Sequence, residues 1–341
     1  MEEIFERLRN RLSERRGHLN DWLQNSSPDK KEVLLGEQDE KAVGEHIHVL
    51  DESIEKVNTG EIGICKICHE PVETALLEVD YTADVCLSHL SGTEADELQN
   101  EIELAQNVQK SLLPQEIPPI PGLDSAAFSR PAQYIGGDYF DFINFEDGSP
   151  GLIIADVAGH GVSASLQMAG LQALTRAIIP VSESTAEAVS HIHQLFIHNI
   201  LFTTFVTLFV GAFDSDTRTL TYCNAGHNPP LVIRRNPDGS LNHQLLKPTG
   251  AAIGLIEDST FRQEKVVLQP GDLLLIYTDG VVEAPNQHNI LFGQDRLIDT
   301  ASELLDLPAR EVLSRVRETL TTFVGSNSFP DDTTYIICKI L

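Results

Sequence analysis

Two groups of side chains in this 341-residue chain have the types and spacing for chemistry. The first is Asp138, Asp156, Asp279 and Asp331, in Ile135-Gly-Gly-Asp138, Ile153-Ile-Ala-Asp156-Val-Ala-Gly-His160-Gly, Ile276-Tyr-Thr-Asp279-Gly and Phe329-Pro-Asp331-Asp332. One such aspartate beside an apolar run reads as a turn residue. Charged side chains are seldom buried unless paired or metal-bound, so several gathered at one sheet rim would hold hard cations through oxygen. The second group is Cys65-x-x-Cys68 followed, after a seventeen-residue gap, by Cys86-x-x-His89. Thiolates and a neutral imidazole suit tetrahedral zinc, and four protein ligands make a closed, structural site. His69 competes with His89 for the fourth place, and a redox dithiol is the other reading of Cys65 and Cys68. His160 could protonate a leaving oxygen or simply shape a turn. Arg130, the nearest basic side chain before the first aspartate, could grip a phosphate or lie at the surface. His227 reads as a loop-shaping residue. Adjacent Asp331 and Asp332 cannot point the same way on an extended strand.

The elements that must position these residues fall into three parts. Residues 2–24 and 37–58 carry apolar residues at helical spacing, separated by Asn25-Ser-Ser-Pro28, which predicts a helical hairpin. The cysteine segment follows, and residues 1–92 form the first domain. Residues 94–113 alternate four- and three-residue apolar spacings (Leu98, Ile102, Ala105, Gln109, Leu112), a coiled-coil type of seam that could pair two copies of the chain. This linker helix, 93–114, ends at Pro114, and prolines 118, 119 and 121 mark a boundary. From 115 to 341, strand-like runs at 139–144, 152–157, 204–213, 219–223, 231–234, 265–268, 273–278 and 333–341 mix with helical runs at 162–179, 184–200 and 308–323. Such a mixture indicates an α+β domain of two sheet layers with helices outside.

Composition narrows the function. Fifty-one acidic against 24 basic side chains give a net charge of −27, which disfavours nucleic acid and anionic membranes as partners. A phosphorylated substrate would need local positive charge, which bound metal ions supply. The apolar runs are too short to span a bilayer and the N-terminus has no signal-like pattern, so a cytoplasmic protein is expected.

Two resemblances extend this reading. Residues 1–92, with Asn58-Thr-Gly-Glu-Ile-Gly-Ile-Cys65-Lys-Ile-Cys68-His-Glu-Pro71, resemble the DksA/TraR zinc-finger family, whose members act on RNA polymerase through an acidic hairpin tip. This chain's tip carries Lys30 and Lys31 beside Asp29, and His89 stands where that family has cysteine. Residues 118–341 resemble the PPM metal-dependent serine/threonine phosphatases in their SpoIIE/RsbU branch. The motifs are Ile135-Gly-Gly-Asp-Tyr-Phe-Asp, Ile154-Ala-Asp-Val-Ala-Gly-His-Gly, Asn224-Ala-Gly-His-Asn-Pro, Tyr277-Thr-Asp-Gly-Val-Val-Glu-Ala and Asp331-Asp-Thr-Thr. Glu103-Leu-Ala-Gln-Asn-Val-Gln-Lys-Ser-Leu-Leu-Pro114 is similar to that branch's regulatory linker.

The second resemblance implies an α/β/β/α sandwich with two Mn²⁺ or Mg²⁺ ions at one edge. Asp156 would bridge them, with the Val157 carbonyl, Asp138, Asp279 and, by motif, Asp331 completing the sites. A metal-activated water would then hydrolyse phosphoserine or phosphothreonine on a STAS-type regulatory protein, under control of the N-terminal zinc module. The alternative function is an RNA-polymerase-binding regulator whose phosphatase domain is secondary or vestigial; a third is redox control through Cys65 and Cys68.

Overall fold

The structure, a computed structural model, describes residues 40–59, 64–70, 72, 85–89, 92–159, 161–197, 205–256, 258–325 and 329–341, with Arg9, Leu12, Ser13, Arg16, Gly17, Asn20 and Gln24. The chain divides into two compact units, Met1–Asn100 and Glu101–Leu341. The division falls inside one helix, so the 93–114 linker is shared between the units.

In the first unit, α1 covers Glu40–Thr59. The described residues between 9 and 24 are helical, and Arg16 Nε donates to Asp51 Oδ1 at 2.6 Å, tying that segment to α1. Leu12, Leu50 and Val57 are buried, as the helical spacing of apolar residues requires. The rest of the expected first helix and the hairpin tip lie outside the described residues. Helix α2, Gly92–Leu112, follows the cysteine segment.

The second unit is built on two five-stranded antiparallel sheets. Its strands are β1 (Leu123–Arg130), β2 (Tyr139–Asn144), β3 (Pro150–Val157), β4 (Val206–Asp214), β5 (Thr219–Ala225), β6 (Leu231–Arg235), β7 (Leu241–Leu245), β8 (Glu264–Val267), β9 (Leu273–Tyr277) and β10 (Thr333–Ile340). One sheet runs β1-β10-β9-β6-β7 and the other β2-β3-β4-β5-β8. The helices are α3 (Gly161–Ile178), α4 (Thr185–Ile197), α5 (Asp279–Val282), α6 (Gly293–Glu303) and α7 (Ala309–Val324).

Alternation along the strands sorts the apolar residues into three cores. Phe140, Leu152, Ile154 and Phe209 from one sheet meet Val232, Leu274, Ile276 and Ile336 from the other. The opposite face of the β3 sheet, Ile153, Ala155 and Leu208, packs on Met168, Leu171, Val189 and Ile192 of α3 and α4. The outer face of the β10 sheet, Leu273, Leu275 and Ile337, packs on Leu297, Val312 and Val316 of α6 and α7. Helices therefore flank two stacked sheets, as expected.

Candidate functional site

Strand pairing brings the four aspartates to one end of both sheets. Tyr139 pairs with Ala155, so Asp138 just before β2 lies beside Asp156 near the end of β3. Tyr335 pairs with Tyr277, so Asp279 just after β9 lies beside the Asp331–Asp332 turn that opens β10. Each sheet contributes two carboxylates. A hydrogen bond joins the pairs: Thr278 Oγ1 donates to Asp138 Oδ2 at 2.9 Å. The turn after Asp156 holds Gly159 at φ 101° and Gly161 at φ 73°, a conformation that favours glycine and starts α3 directly behind the aspartate. His160, between them, lies outside the described residues.

The electrostatics are those of a crowded anionic site. Burial, then the charges of Asp156 and Asp332, hold Asp138 well above the usual carboxylate range. Burial raises Asp156 to about 8, with Asp279, Asp331, Asp332 and Glu283 adding to it. Asp279 is raised by burial and by Asp331, and Glu283 by burial and by Asp279. Asp138 Oδ1 is buried without a hydrogen-bond partner. A buried carboxylate oxygen lacking a donor, among several carboxylates that resist ionising together, fits a place for cations. All the donors are oxygen, which suits Mn²⁺ or Mg²⁺.

The remaining sequence candidates take distinct places. The backbone at Val157 lies under the loop that carries Asp138: a Cβ on Gly137 would sit 2.9 Å from the Val157 carbonyl oxygen. Arg130 ends β1 opposite Thr333, with its guanidinium 5.6 Å from the Phe329 ring centroid, so it borders the Asp331 turn. His227 is buried behind the site. Its N–H donates to Asn224 Oδ1 at 2.8 Å, and its Nδ1 lies 2.8 Å from Oγ1 of Thr207, which pairs with Asp156. Burial lowers His227 to about 3, so the ring is neutral at physiological pH.

Two nearby residues were not legible as site residues. Glu283 stands four residues after Asp279, which becomes informative only once a helical turn is known to start at Asp279. Gln109 of α2 pairs with the Gly136 peptide in both directions, its Nε2 donating at 2.6 Å and its Oε1 accepting at 3.0 Å. In the sequence, Gln109 looked like one more position of the helical seam.

Cys65, Cys68, Cys86 and His89 form a separate group in the first unit, their donor atoms all within 4.8 Å of one another. His89 Nδ1 lies 2.8 Å from Cys86 Sγ and 3.6 Å from Cys65 Sγ. Burial alone would raise Cys65, but backbone N–H groups of Cys68, Cys86 and Ile67 outweigh it and bring the thiol to about 5. That favours the thiolate a metal needs. His69 is exposed, at φ 60°, and is not part of the group.

Comparison with known proteins agrees with this geometry. The family Stage II sporulation protein E (SpoIIE) matches residues 146–341, more than half of the chain. Phosphoserine phosphatase RsbU of Bacillus subtilis is 27% identical over 243 residues, which make up 71% of each protein. Among solved structures, the SiaA-PP2C domain of Pseudomonas aeruginosa superposes with a TM-score of 0.63 at 23% identity, covering 73% of this chain and 98% of that domain. The RsbU and RsbW domains of Rv1364c from Mycobacterium tuberculosis give a TM-score of 0.56 at 30% identity, covering 67% of this chain and 63% of that one. The chain belongs to the SpoIIE family of protein serine/threonine phosphatases.

Proposed function

We propose that the chain removes phosphate from phosphoserine or phosphothreonine on a STAS-type regulatory protein, at a centre of two Mn²⁺ or Mg²⁺ ions. The observation that carries this reading is the buried, partnerless Asp138 Oδ1 among carboxylates raised by burial and by one another. Asp138, Asp156, Asp279, Asp331 and the Val157 carbonyl would hold the ions in this reading, with Asp156 serving both. Metal ions bound there would lower the pKa of a water and offset charge on the phosphoryl oxygens. Thr278 orients Asp138 through its hydrogen bond. Arg130, at the border of the Asp331 turn, is the cation to meet a phosphoryl oxygen, and His160 is the candidate to protonate the leaving oxygen.

The substrate class draws support from RsbU, named a phosphoserine phosphatase, and from Rv1364c, which carries RsbU and RsbW domains in one protein. The Cys65–Cys68–Cys86–His89 group is assigned one structural Zn²⁺, holding a DksA/TraR-like module that regulates the phosphatase. Exposed Leu104 and Val108 on α2 support self-association through residues 94–113. No helix among the described residues is long and apolar enough to cross a membrane, in keeping with a cytoplasmic assignment.

The test is incubation of the full chain with Mn²⁺ and a serine-phosphorylated STAS protein, beside Asp156→Asn. Phosphate release by the first alone is expected. Equal release by both would overturn the assignment of the centre. Co-purification with RNA polymerase that survives Asp156→Asn, in a chain that releases no phosphate, would favour the polymerase-regulator reading instead.

A further inference from the structure

Asp331 and Asp332 are adjacent carboxylates at the same rim, and their surroundings divide them. The charge of each acts on Asp279 and Asp156, but Asp331 is exposed. Asp332 is buried, and both of its oxygens are engaged by backbone: Oδ1 accepts from the Ala132 N–H at 2.7 Å and Oδ2 from the Gly137 N–H at 2.5 Å. Its carboxylate fills the space where a Cβ on Gly136 would lie, and its carbonyl fills that of a Cβ on Gly280. The segment it grips, residues 132–137, delivers Asp138. The turn it presses upon follows Asp279. One residue thus holds the 132–137 loop through its carboxylate and meets the turn after Asp279 through its own carbonyl.

We propose that Asp332 is a positioning residue of the metal centre and not one of its ligands. It sets the path of the Asp138 loop through two charge-assisted hydrogen bonds, which are stronger than neutral ones and here are shielded from water. A carboxylate is required because both positions face N–H donors. An amide can accept at one oxygen only and would turn its own N–H groups towards the other donor. The proposal rests on the two-metal reading of the site and adds a division of labour between the two aspartates.

The experiment compares the wild-type chain, Asp332→Asn and Asp331→Asn by calorimetric Mn²⁺ titration and, without metal, by amide hydrogen exchange. For Asp332→Asn the expected result is an unchanged number of ions bound about 10–100-fold more weakly, the size of effect seen when a partner of a metal ligand is lost. Exchange at Ala132 and Gly137 should accelerate in the same variant. Asp331→Asn should bind one ion fewer and leave exchange at Ala132 and Gly137 as in wild type. Loss of one ion from Asp332→Asn, or unchanged exchange at both amides, would overturn the proposal. If Asp332→Asn does not fold, Ala132→Pro removes one donor and keeps the carboxylate. A weaker shift in Mn²⁺ affinity then supports the clamp, and an unchanged affinity overturns it. A wild-type chain that binds no Mn²⁺ would defeat the two-metal reading, while the exchange data would still decide whether the clamp exists.

Discussion

The sulfur group and the carboxylate group solve the same problem, gathering ligands, in opposite ways. Cys65, Cys68, Cys86 and His89 come from one short stretch of chain, and their donor atoms already lie within 4.8 Å of one another. Asp138, Asp156, Asp279 and Asp331 come from four strand ends in two sheets and meet only when the whole domain has folded. The first arrangement is compact and local, and the second spans the ends of two sheets. Local ligands make a metal part of a small module's stability. Ligands drawn from distant strands make the metal a tenant of a fold that already exists.

The strongest way to break this contrast is Asp156→Asn. Losing the charge that several carboxylates surround should cut phosphatase turnover by about 10³-fold, several kcal/mol of metal-derived stabilisation, with the thermal unfolding of residues 101–341 retained. A domain that unfolds instead would show the centre to be a folding nucleus like the sulfur group. Next in size, on the proposed zinc assignment, Cys65→Ser should abolish zinc binding by the first unit and cost it several kcal/mol, melting α1 in circular dichroism. The carboxylate centre should keep its Mn²⁺ affinity.

The pH dependence sharpens the contrast further. Asp156 is raised to about 8 in the metal-free site, so the folded state binds a proton that the unfolded chain releases near pH 4. The stability that Asp156 contributes to the metal-free domain is therefore full below that pH and lost as pH rises through about 8, and saturating Mn²⁺ should abolish this loss. Denaturant titrations of the wild-type chain and Asp156→Asn across this range, with and without Mn²⁺, would show it, and a metal-free stability difference between the two that does not change with pH would contradict the crowding. The smallest effect is expected from Gln109→Ala, which removes two hydrogen bonds from the Gly136 peptide and should cost about 1–3 kcal/mol in denaturant unfolding.

The sequence was most informative where burial is complete. Runs such as Leu152–Ala155 and Leu273–Ile276 are central strands, and the expected bounds of β2 agree with the structure. Two strands, β1 and β7, leave little trace in the sequence, and they are the two edges of one sheet. Leu123-Asp-Ser-Ala-Ala-Phe-Ser-Arg130 is mostly half-buried, and Leu241-Asn-His-Gln-Leu245 is nearly all exposed. An edge strand can be held by its ladder with little apolar alternation, so its pattern is faint. Helix α6 is equally faint in the sequence, a strongly polar helix with only Leu297 and Ala301 buried. The aspartates were legible because each follows or precedes a buried strand. Glu283 and Gln109 were not, because their proximity depends on tertiary geometry that no local spacing encodes.

Asp332 also bears on which variants of this chain can survive. Neither Gly136 nor Gly280 has a positive φ, so neither is glycine for the sake of its backbone. Both are glycine because Asp332 occupies the room a side chain would need, through its carboxylate at one and its carbonyl at the other. Their mutational histories are therefore tied to a residue far along the chain. A substitution at Gly136 becomes admissible only in a lineage that has already shortened the side chain at 332. Gly280 stays closed in either case, because every residue at 332 keeps its carbonyl.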